Sequence, residues 1–226
     1  MNLKDLDLEI NLIRHGDAAS DPNHWSSPTT PLSEVGVAQV KKLALKLKNQ
    51  SFDALYTSPF IRAKQTAEII KKYYQKSIDL QEKNWLSEID LGTWAGGLKE
   101  KVALQIPSSL KSLLDEGYNK RGPLVARILV TDKKFTFPSG ESLEIFWKRV
   151  SNGLHETFDQ YRSFPSRKIA FVGHGGSFTV ILLNLLGKSF SDTNFPIFLF
   201  RQGDITTIRI NNGFVFVLQV NPFQNS

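Results

Sequence analysis

Residues 168–176, Lys168-Ile169-Ala170-Phe171-Val172-Gly173-His174-Gly175-Gly176, form a nearly all-apolar run that stops on a histidine followed by two glycines. An apolar run of this length reads as a strand buried on both faces, as in a parallel sheet covered by helices. The same phrase occurs near the start of the chain, where Glu9-Ile10-Asn11-Leu12-Ile13-Arg14 is an alternating apolar strand that stops at His15-Gly16. In an open α/β sheet, ligands bind beyond the carboxyl ends of the strands. Both imidazoles therefore stand where a pocket is expected, and the glycine after each lets a ligand approach the backbone. One histidine at a strand end is ordinary loop chemistry. Two of them, each with glycine next and arginine nearby, read as one site.

Outward from these strands the chain alternates strand and helix. Residues 17–32, rich in Asp, Ser, Pro and Thr, read as a long loop, a length that often carries function. Ser33 opens a helix to about Asn49, with Val37, Val40, Leu43, Ala44 and Leu47 on one face. Phe52 to Thr57 reads as a strand running into Ser58-Pro59, an N-cap followed by proline at the first helical position. That helix reaches about Tyr74, and Ser77 to Gln81 is a weaker strand. An irregular stretch over 84–97 precedes helical segments near 98–118. Pro138-Ser139-Gly140-Glu141 then introduces a long helix whose apolar face is Leu143, Phe146, Trp147, Val150, Leu154, Phe158 and Tyr161, close to a 3.6-residue period. Ser177 is placed as the cap of an apolar helix over 178–186. Asn211-Asn212-Gly213 between Asp204–Ile210 and Phe214–Val220 is a hairpin signal. The expectation is an α/β, three-layer sandwich: a mostly parallel sheet with an antiparallel C-terminal hairpin. It is expected as one domain over 1–226, with about 98–137 a helical lid and residues 1–7 and 222–226 loose.

Composition narrows the class. The 226 residues are 41% hydrophobic and 22% charged, ordinary globular values that exclude disorder, collagen and coiled coil. The longest apolar run, Phe178 to Leu186, falls short of the ~20 residues of a membrane span. Acids stand in the first nine residues where a signal peptide would be basic and then apolar, so a cytoplasmic protein without membrane contact is expected. The absence of cysteine excludes disulfides, thiolate metal sites and cysteine nucleophiles. The net charge of +6 fits either an anionic partner or solvated lysine faces such as Lys41, Lys42, Lys46 and Lys48. No run of five like charges and no interleaved basic and aromatic tract occurs, which argues against nucleic acid.

The arginines sharpen the site. Arg14 precedes His15, and Arg62 lies on the first turn of the helix after Ser58-Pro59. Guanidinium groups grip phosphate oxygens bidentately, and a helix N-terminus favours an anion. Taken alone, Arg62 reads equally as a surface partner of Glu68. In order along the chain stand Leu12-Ile13-Arg14-His15-Gly16, Ser58-Pro59 with Arg62-Ala63 and Thr66-Ala67, Glu88 with Gly92, Trp94 and Gly96, Gly140-Glu141-Ser142, and Gly173-His174-Gly175-Gly176. This set resembles the histidine phosphatase superfamily, in the branch of the cofactor-dependent phosphoglycerate mutases and their phosphatase relatives, over about residues 9 to 220.

The resemblance implies a phosphoglycerate mutase-like fold and a phosphomonoester hydrolase. His15 would be the nucleophile that takes the phosphoryl group. Arg14, Arg62 and His174 would form a cationic cage for its oxygens, with Gly16 and Gly175 adding backbone donors. Glu88 matches the family's proton donor. No metal and no cofactor is then implied, and the partner would be a small phosphorylated metabolite. Where mutases and many relatives carry Glu/Ser or Glu/Thr and then an asparagine, this chain has Asp17-Ala18-Ala19-Ser20-Asp21. Asp21 therefore stands as a substrate-binding candidate that would repel phosphate unless it faces away, and Asp17 as a conceivable proton donor. Asp17-Ala18-Ala19 is similar to the short phosphohistidine phosphatases, which keeps a protein phosphohistidine or phosphotyrosine phosphatase open. The mutases' long insertion after the first loop is absent, so hydrolysis is favoured over phosphoglycerate mutase activity. A phosphate-binding regulatory protein without turnover is the rival from another class, and oligomeric state is not legible. His24 and Trp25 either line the substrate mouth or pack the loop. His155 is expected on the solvent side of its helix, Trp147 in the core, and Trp94 as support for the Glu88 loop. The basic residues Lys99, Lys101, Lys111, Lys120, Arg121 and Arg127 either hold a second anionic group or are solvated.

Overall fold

The two apolar runs lie side by side and parallel in one sheet, with Arg14 opposite Gly173. The computed structural model describes residues 2–74, 77–112, 124–162, 164, 166–191 and 200–220, and of residues 124, 126, 127, 130, 219 and 220 the backbone alone. In chain order the elements are β1 (Asp7–Arg14), α1 (Glu34–Leu47), β2 (Ala54–Thr57), α2 (Ile61–Tyr73), β3 (Leu80–Glu82), α3 (Lys99–Gln105), α4 (Leu124–Thr131), α5 (Leu143–Asp159), β4 (Arg167–Gly173), α6 (Gly175–Leu185), β5 (Ile205–Asn211) and β6 (Phe214–Val220). The strands are ordered β3-β2-β4-β1-β5-β6. The first four are parallel, while β5 and β6 run antiparallel.

Alternation along the strands sends side chains to two separate cores. Leu8, Ile10, Leu12, Ile169 and Phe171 pack with Phe146, Val150, Leu154 and Phe158 of α5 and Ile181 of α6. Ile13, Ala170 and Val172 pack with Val40 and Leu43 of α1 and Ala63 and Ile70 of α2. Helices thus cover both faces, the three layers expected. Each fully buried Leu, Ile or Phe contributes roughly 1.5–3 kcal/mol, so β1 and β4 are the best-anchored strands, and the site hangs from their ends. In the hairpin turn Asn212 and Gly213 have φ of 48° and 84°, the two positive angles of a type I′ turn.

Two helix starts differ from expectation. Residue 60, not Ser58, is the N-cap of α2; the Ser58 hydroxyl instead accepts the Phe60 N–H at 3.2 Å. His174, not Ser177, is the N-cap of α6, so the helix begins on Gly175 and Gly176. In α1 the helix opens at Ser33 as expected, its side chain accepting from Gly36 N–H, and in α5, just after Pro138-Ser139-Gly140-Glu141, Ser142 is the cap, accepting from Ile145 N–H. His155 is half-buried rather than on the solvent side. It follows Leu154 at the margin of the apolar face, its Nε2 has no hydrogen-bond partner, and burial lowers its pKa. Trp147 is core, as expected. The helical expectation over 98–118 resolves into α3 and a turn at Ser108–Leu110, with residues 113–118 lying outside the described residues. Among the described residues no helix is long and apolar enough to cross a membrane.

Candidate active site

His15 leaves the end of β1 with its backbone N–H on Gly173 O at 3.1 Å, which sets the two histidine rings 5.1 Å apart. Nδ1 of His15 lies 2.7 Å from Gly16 O. A carbonyl only accepts, so Nδ1 carries the proton and Nε2 keeps its lone pair. Arg62 agrees, since its Nε–H donates to that Nε2 at 3.2 Å. Burial, then the charges of Arg62 and Arg14, push His15 down to about 3 from the usual 6.5, against the opposing Gly16 bond. The ring is neutral at physiological pH and its free nitrogen is nucleophilic.

Gly16 is present because α1 presses on it: a Cβ there would lie 2.6 Å from Gly36 O and 2.8 Å from Val40 Cγ2. Its N–H donates to Thr66 Oγ1 at 3.3 Å. The expected phosphate donor at this position is therefore already engaged, and Gly16 serves close packing.

Arg62 fans across the site. Besides His15, Nη1 donates to Ser27 O at 2.8 Å and Nη2 lies 3.4 Å from His174 Nδ1, while the Phe60 ring lies 5.1 Å beneath the guanidinium. Burial lowers Arg62 to about 10, opposed by Glu88, so it stays charged. Arg14 donates to Phe200 O, and its Nε is buried without a partner. A buried cationic N–H left unpaired is an unmet demand for an anion.

His174 is fully buried. Its Nδ1 accepts the Ser177 N–H in a capping box that also returns the Ser177 hydroxyl to the His174 backbone, leaving Nε2–H to donate to Ser58 Oγ at 2.8 Å. Burial first, then Arg62, His15 and Arg14, hold it far below its ordinary pKa. The expectation of a cationic His174 is thus corrected: the positive charge comes from the two arginines, and His174 is a neutral, positioned group.

Glu88 faces the arginines from the other side. Its Oε2 accepts Gly176 N–H at 3.0 Å and its Oε1 the Ile89 N–H at 3.3 Å. A Cβ on residue 176 would sit 2.1 Å from Oε1, so the glycine makes room for the carboxylate. What fixes Glu88 is a group the sequence did not disclose. Arg149 Nη1 donates to the carbonyls of Asn84, Trp85 and Ser87, and Nη2 to that of Glu88. The same guanidinium forks onto Glu141 at 2.7 and 2.8 Å, and Glu141 also takes Asp90 N–H. The only sequence signal for this clamp was Glu141 in its motif, with an arginine on the following helix. Trp85 fills the space left by Gly153 on α5. Trp94, expected to support the loop, is buried among Phe135 and Phe137.

A cavity of about 430 Å³ opens over this arrangement, lined at its base by Arg14, Arg62, Glu88, Gly175 and Gly176. His15 and His174 lie just beneath, 5% and 1% exposed. Gly175 lies at the base, with Arg14 in ordinary contact distance of its Cβ position. Asp21, His24 and Trp25 line the cavity too. Asp21 is away from the arginine pair: it accepts Asn23 N–H at 2.7 Å and pairs with His24 at 2.9 Å, contacts that lower its pKa, the Asn23 bond most. Asp17 is turned to α1, where it accepts the Ser33 hydroxyl at 2.6 Å, and it does not line the cavity. Among the described residues Arg62 pairs with no surface acid.

A buried and a half-buried arginine over a neutral imidazole with an unprotonated nitrogen, and a carboxylate across from them, define a site built to hold and transfer a phosphoryl group. The family described as histidine phosphatase superfamily (branch 1) matches residues 10–222, and the chain belongs to it. Phosphoserine phosphatase 1 of Hydrogenobacter thermophilus is 27% identical, over 81% of this chain and 79% of its own length. An uncharacterized phosphatase, PhoE, of Bacillus subtilis is 26% identical over 79% and 77%. The fold is phosphoglycerate mutase-like: alpha-ribazole phosphatase from Shigella flexneri superposes with a TM-score of 0.72 at 22% identity, covering 94% and 96%, and phosphoglycerate mutase from Bacillus anthracis with 0.68 at 22%, covering 94% and 92%. Family and relatives together make the chain a phosphatase, as its motifs implied.

Proposed function

We propose that this chain hydrolyses phosphomonoesters of small metabolites through a phosphohistidine on His15, without a metal. The observation that carries the proposal is the His15 tautomer. With Nδ1–H held on Gly16 O, Nε2 is the nitrogen left to attack phosphorus. The phosphoryl group enters between Arg62 and His15, exchanging the Nε–H···Nε2 bond for charge-assisted bonds to its oxygens. Arg14, with its unpaired Nε, takes the remaining charge. As the N–P bond forms, the P–O bond to the alcohol breaks and Glu88 supplies that oxygen with a proton. Water then attacks phosphorus, Glu88 takes its proton, and the electron pair of the N–P bond returns to Nε2. His174 holds Arg62 in register from below.

The cytoplasmic setting and the small-molecule partner belong to this proposal. So does the lid over 98–137, whose described residues Val125 and Leu129 line the cavity. The test is phosphate release from a panel of phosphomonoesters in excess chelator, for wild type and His15→Ala. Release that resists chelator and disappears in His15→Ala is expected, with acid-labile phosphate trapped on wild type alone. Release that needs added metal, or survives in His15→Ala, overturns the mechanism. Isomerisation of a phosphoglycerate faster than its hydrolysis would make the enzyme a mutase.

A further inference from the structure

We infer that the alcohol half of the substrate is a bulky apolar body, best an aromatic one, that carries no second anionic group. This deepens the phosphatase reading above and rests on it. A phosphoryl group occupies only the base of the cavity, between Arg14 and Arg62. Above it the walls are Trp25, Phe60, Ile89, Val125, Leu129 and Phe146. They are held rigidly: Trp25 stacks on Trp94 at 6.5 Å and exchanges backbone hydrogen bonds with Gly96 and Gly97, and Phe146 is anchored in the α5 core. A preformed apolar wall favours a ligand that removes apolar surface from water.

Charge on the same walls opposes an acid. Asp21 and Asp90 line the cavity, Asp90 held by Gly92 N–H. Among the described lining residues, the cations beyond the arginine pair are Lys99 and, when protonated, His24. The Lys99 ammonium donates to Pro22 O at 2.6 Å, and His24 is paired with Asp21. Lys101 and Lys111 are exposed and are not part of the lining. Among the described residues a carboxylate or second phosphate on the substrate would thus meet two aspartates and engaged cations, whereas a phenyl or larger ring would meet side chains of its own kind. Phosphoserine and 3-phosphoglycerate are the substrates this wall rejects.

The test uses esters whose leaving alcohols are all aliphatic, so that differences report recognition. For the full chain, kcat/KM for 2-phenylethyl phosphate is expected to exceed that for phosphoserine and for 3-phosphoglycerate by about 30-fold, or about 2 kcal/mol. Val125→Lys, on a half-buried wall position, should shrink that ratio by about tenfold. Leu91 also lines the cavity, and Leu91→Ala, which thins the wall without adding charge, should shrink it about fivefold. A wild-type ratio under tenfold, or in favour of phosphoserine, overturns the inference while leaving the phosphatase reading intact. Calorimetric affinities for 3-phenylpropylphosphonate and 2-amino-4-phosphonobutyrate, judged by the same tenfold threshold, decide the inference even if no ester turns over. In that event it is the proposed chemistry that falls.

Discussion

Gly176→Ala isolates the role of Glu88 without touching it. The added methyl would lie 2.1 Å from Glu88 Oε1 and 3.0 Å from its Cδ. The obstacle is the end of a flexible side chain, so the carboxylate moves, by about 1 Å or more to reach ordinary contact. It also leaves the Gly176 N–H that holds Oε2 at 3.0 Å. Helix α6 itself gains about 0.5–1 kcal/mol from alanine in place of glycine. That gain offsets part of the about 1.5–3 kcal/mol that a charge-assisted bond contributes, so global stability falls by about 0.5–2.5 kcal/mol. Catalysis responds more strongly. A general acid is worth about 10²–10⁴-fold, and a displaced one should lose about 10²–10³-fold, or about 2.7–4 kcal/mol of barrier, on an alkyl ester such as glycerol 2-phosphate. With p-nitrophenyl phosphate the leaving phenolate departs without a proton, and the loss should stay under about tenfold. Rates are read in a single turnover, because in the proposed mechanism Glu88 also acts in the hydrolysis of the phosphohistidine. Equal losses for the two esters, or an unchanged alkyl rate in a folded variant, would refute Glu88 as the proton donor.

Arg149→Met removes the clamp on residues 84–90 and leaves Glu141 without its ion pair. It is expected to lower stability by about 2–4 kcal/mol by urea unfolding and to reduce kcat on alkyl esters more than on p-nitrophenyl phosphate. Gly153→Ala would bring a methyl to 2.0 Å from Trp85 Cγ, an overpacking expected to destabilise by about 1–3 kcal/mol, seen as a lower urea midpoint with phosphate affinity retained. His15 is neutral in the fold with a pKa of about 3 against 6.5 unfolded. Its share of stability is therefore complete above pH 6.5 and is lost as pH falls toward 3, at up to about 1.4 kcal/mol per pH unit. His15→Gln should flatten the wild-type decline in unfolding free energy between pH 6 and 4 by about that slope, and parallel curves would contradict the assigned charge state.

The parts of the fold set by apolar patterning were legible in the sequence. β1 and β4 announce themselves because strands buried on both faces need long apolar runs, and α5 because one face of a helix must repeat every 3.6 residues. The two histidines were legible for the same reason, since each sits where such a run ends. The helix starts after β2 and β4 were misplaced because Ser58 and Ser177 are good caps by local rules. In the fold their hydroxyls are drawn to His174, one accepting its Nε2–H and the other binding its backbone. A local preference yielded there to a tertiary contact that fixes a functional tautomer.

Arg149 was illegible for a different reason. On the sequence it is one more arginine on an amphipathic helix, and only the packing of residues 84–88 against α5 turns four backbone carbonyls toward it. The charge of His174 was misjudged on the same ground, because residue type gives the ordinary pKa and burial decides the real one. A third cation beside Arg14 and Arg62 would add repulsion at the base of a cavity where, among the described residues, Glu88 is the counter-charge acting on both arginines. Keeping both imidazoles neutral confines the positive charge to the two guanidinium groups, whose pKa Glu88 helps to hold up. His15, His174 and Glu88, the proposed nucleophile, its neighbour and the proposed proton donor, are thus set by one electrostatic balance. Removing the Glu88 charge, as in Glu88→Gln, should depress Arg62 further from about 10 yet leave it charged near neutral pH. Vanadate, freed of a repelling carboxylate, should then bind at least as tightly while turnover of alkyl esters falls.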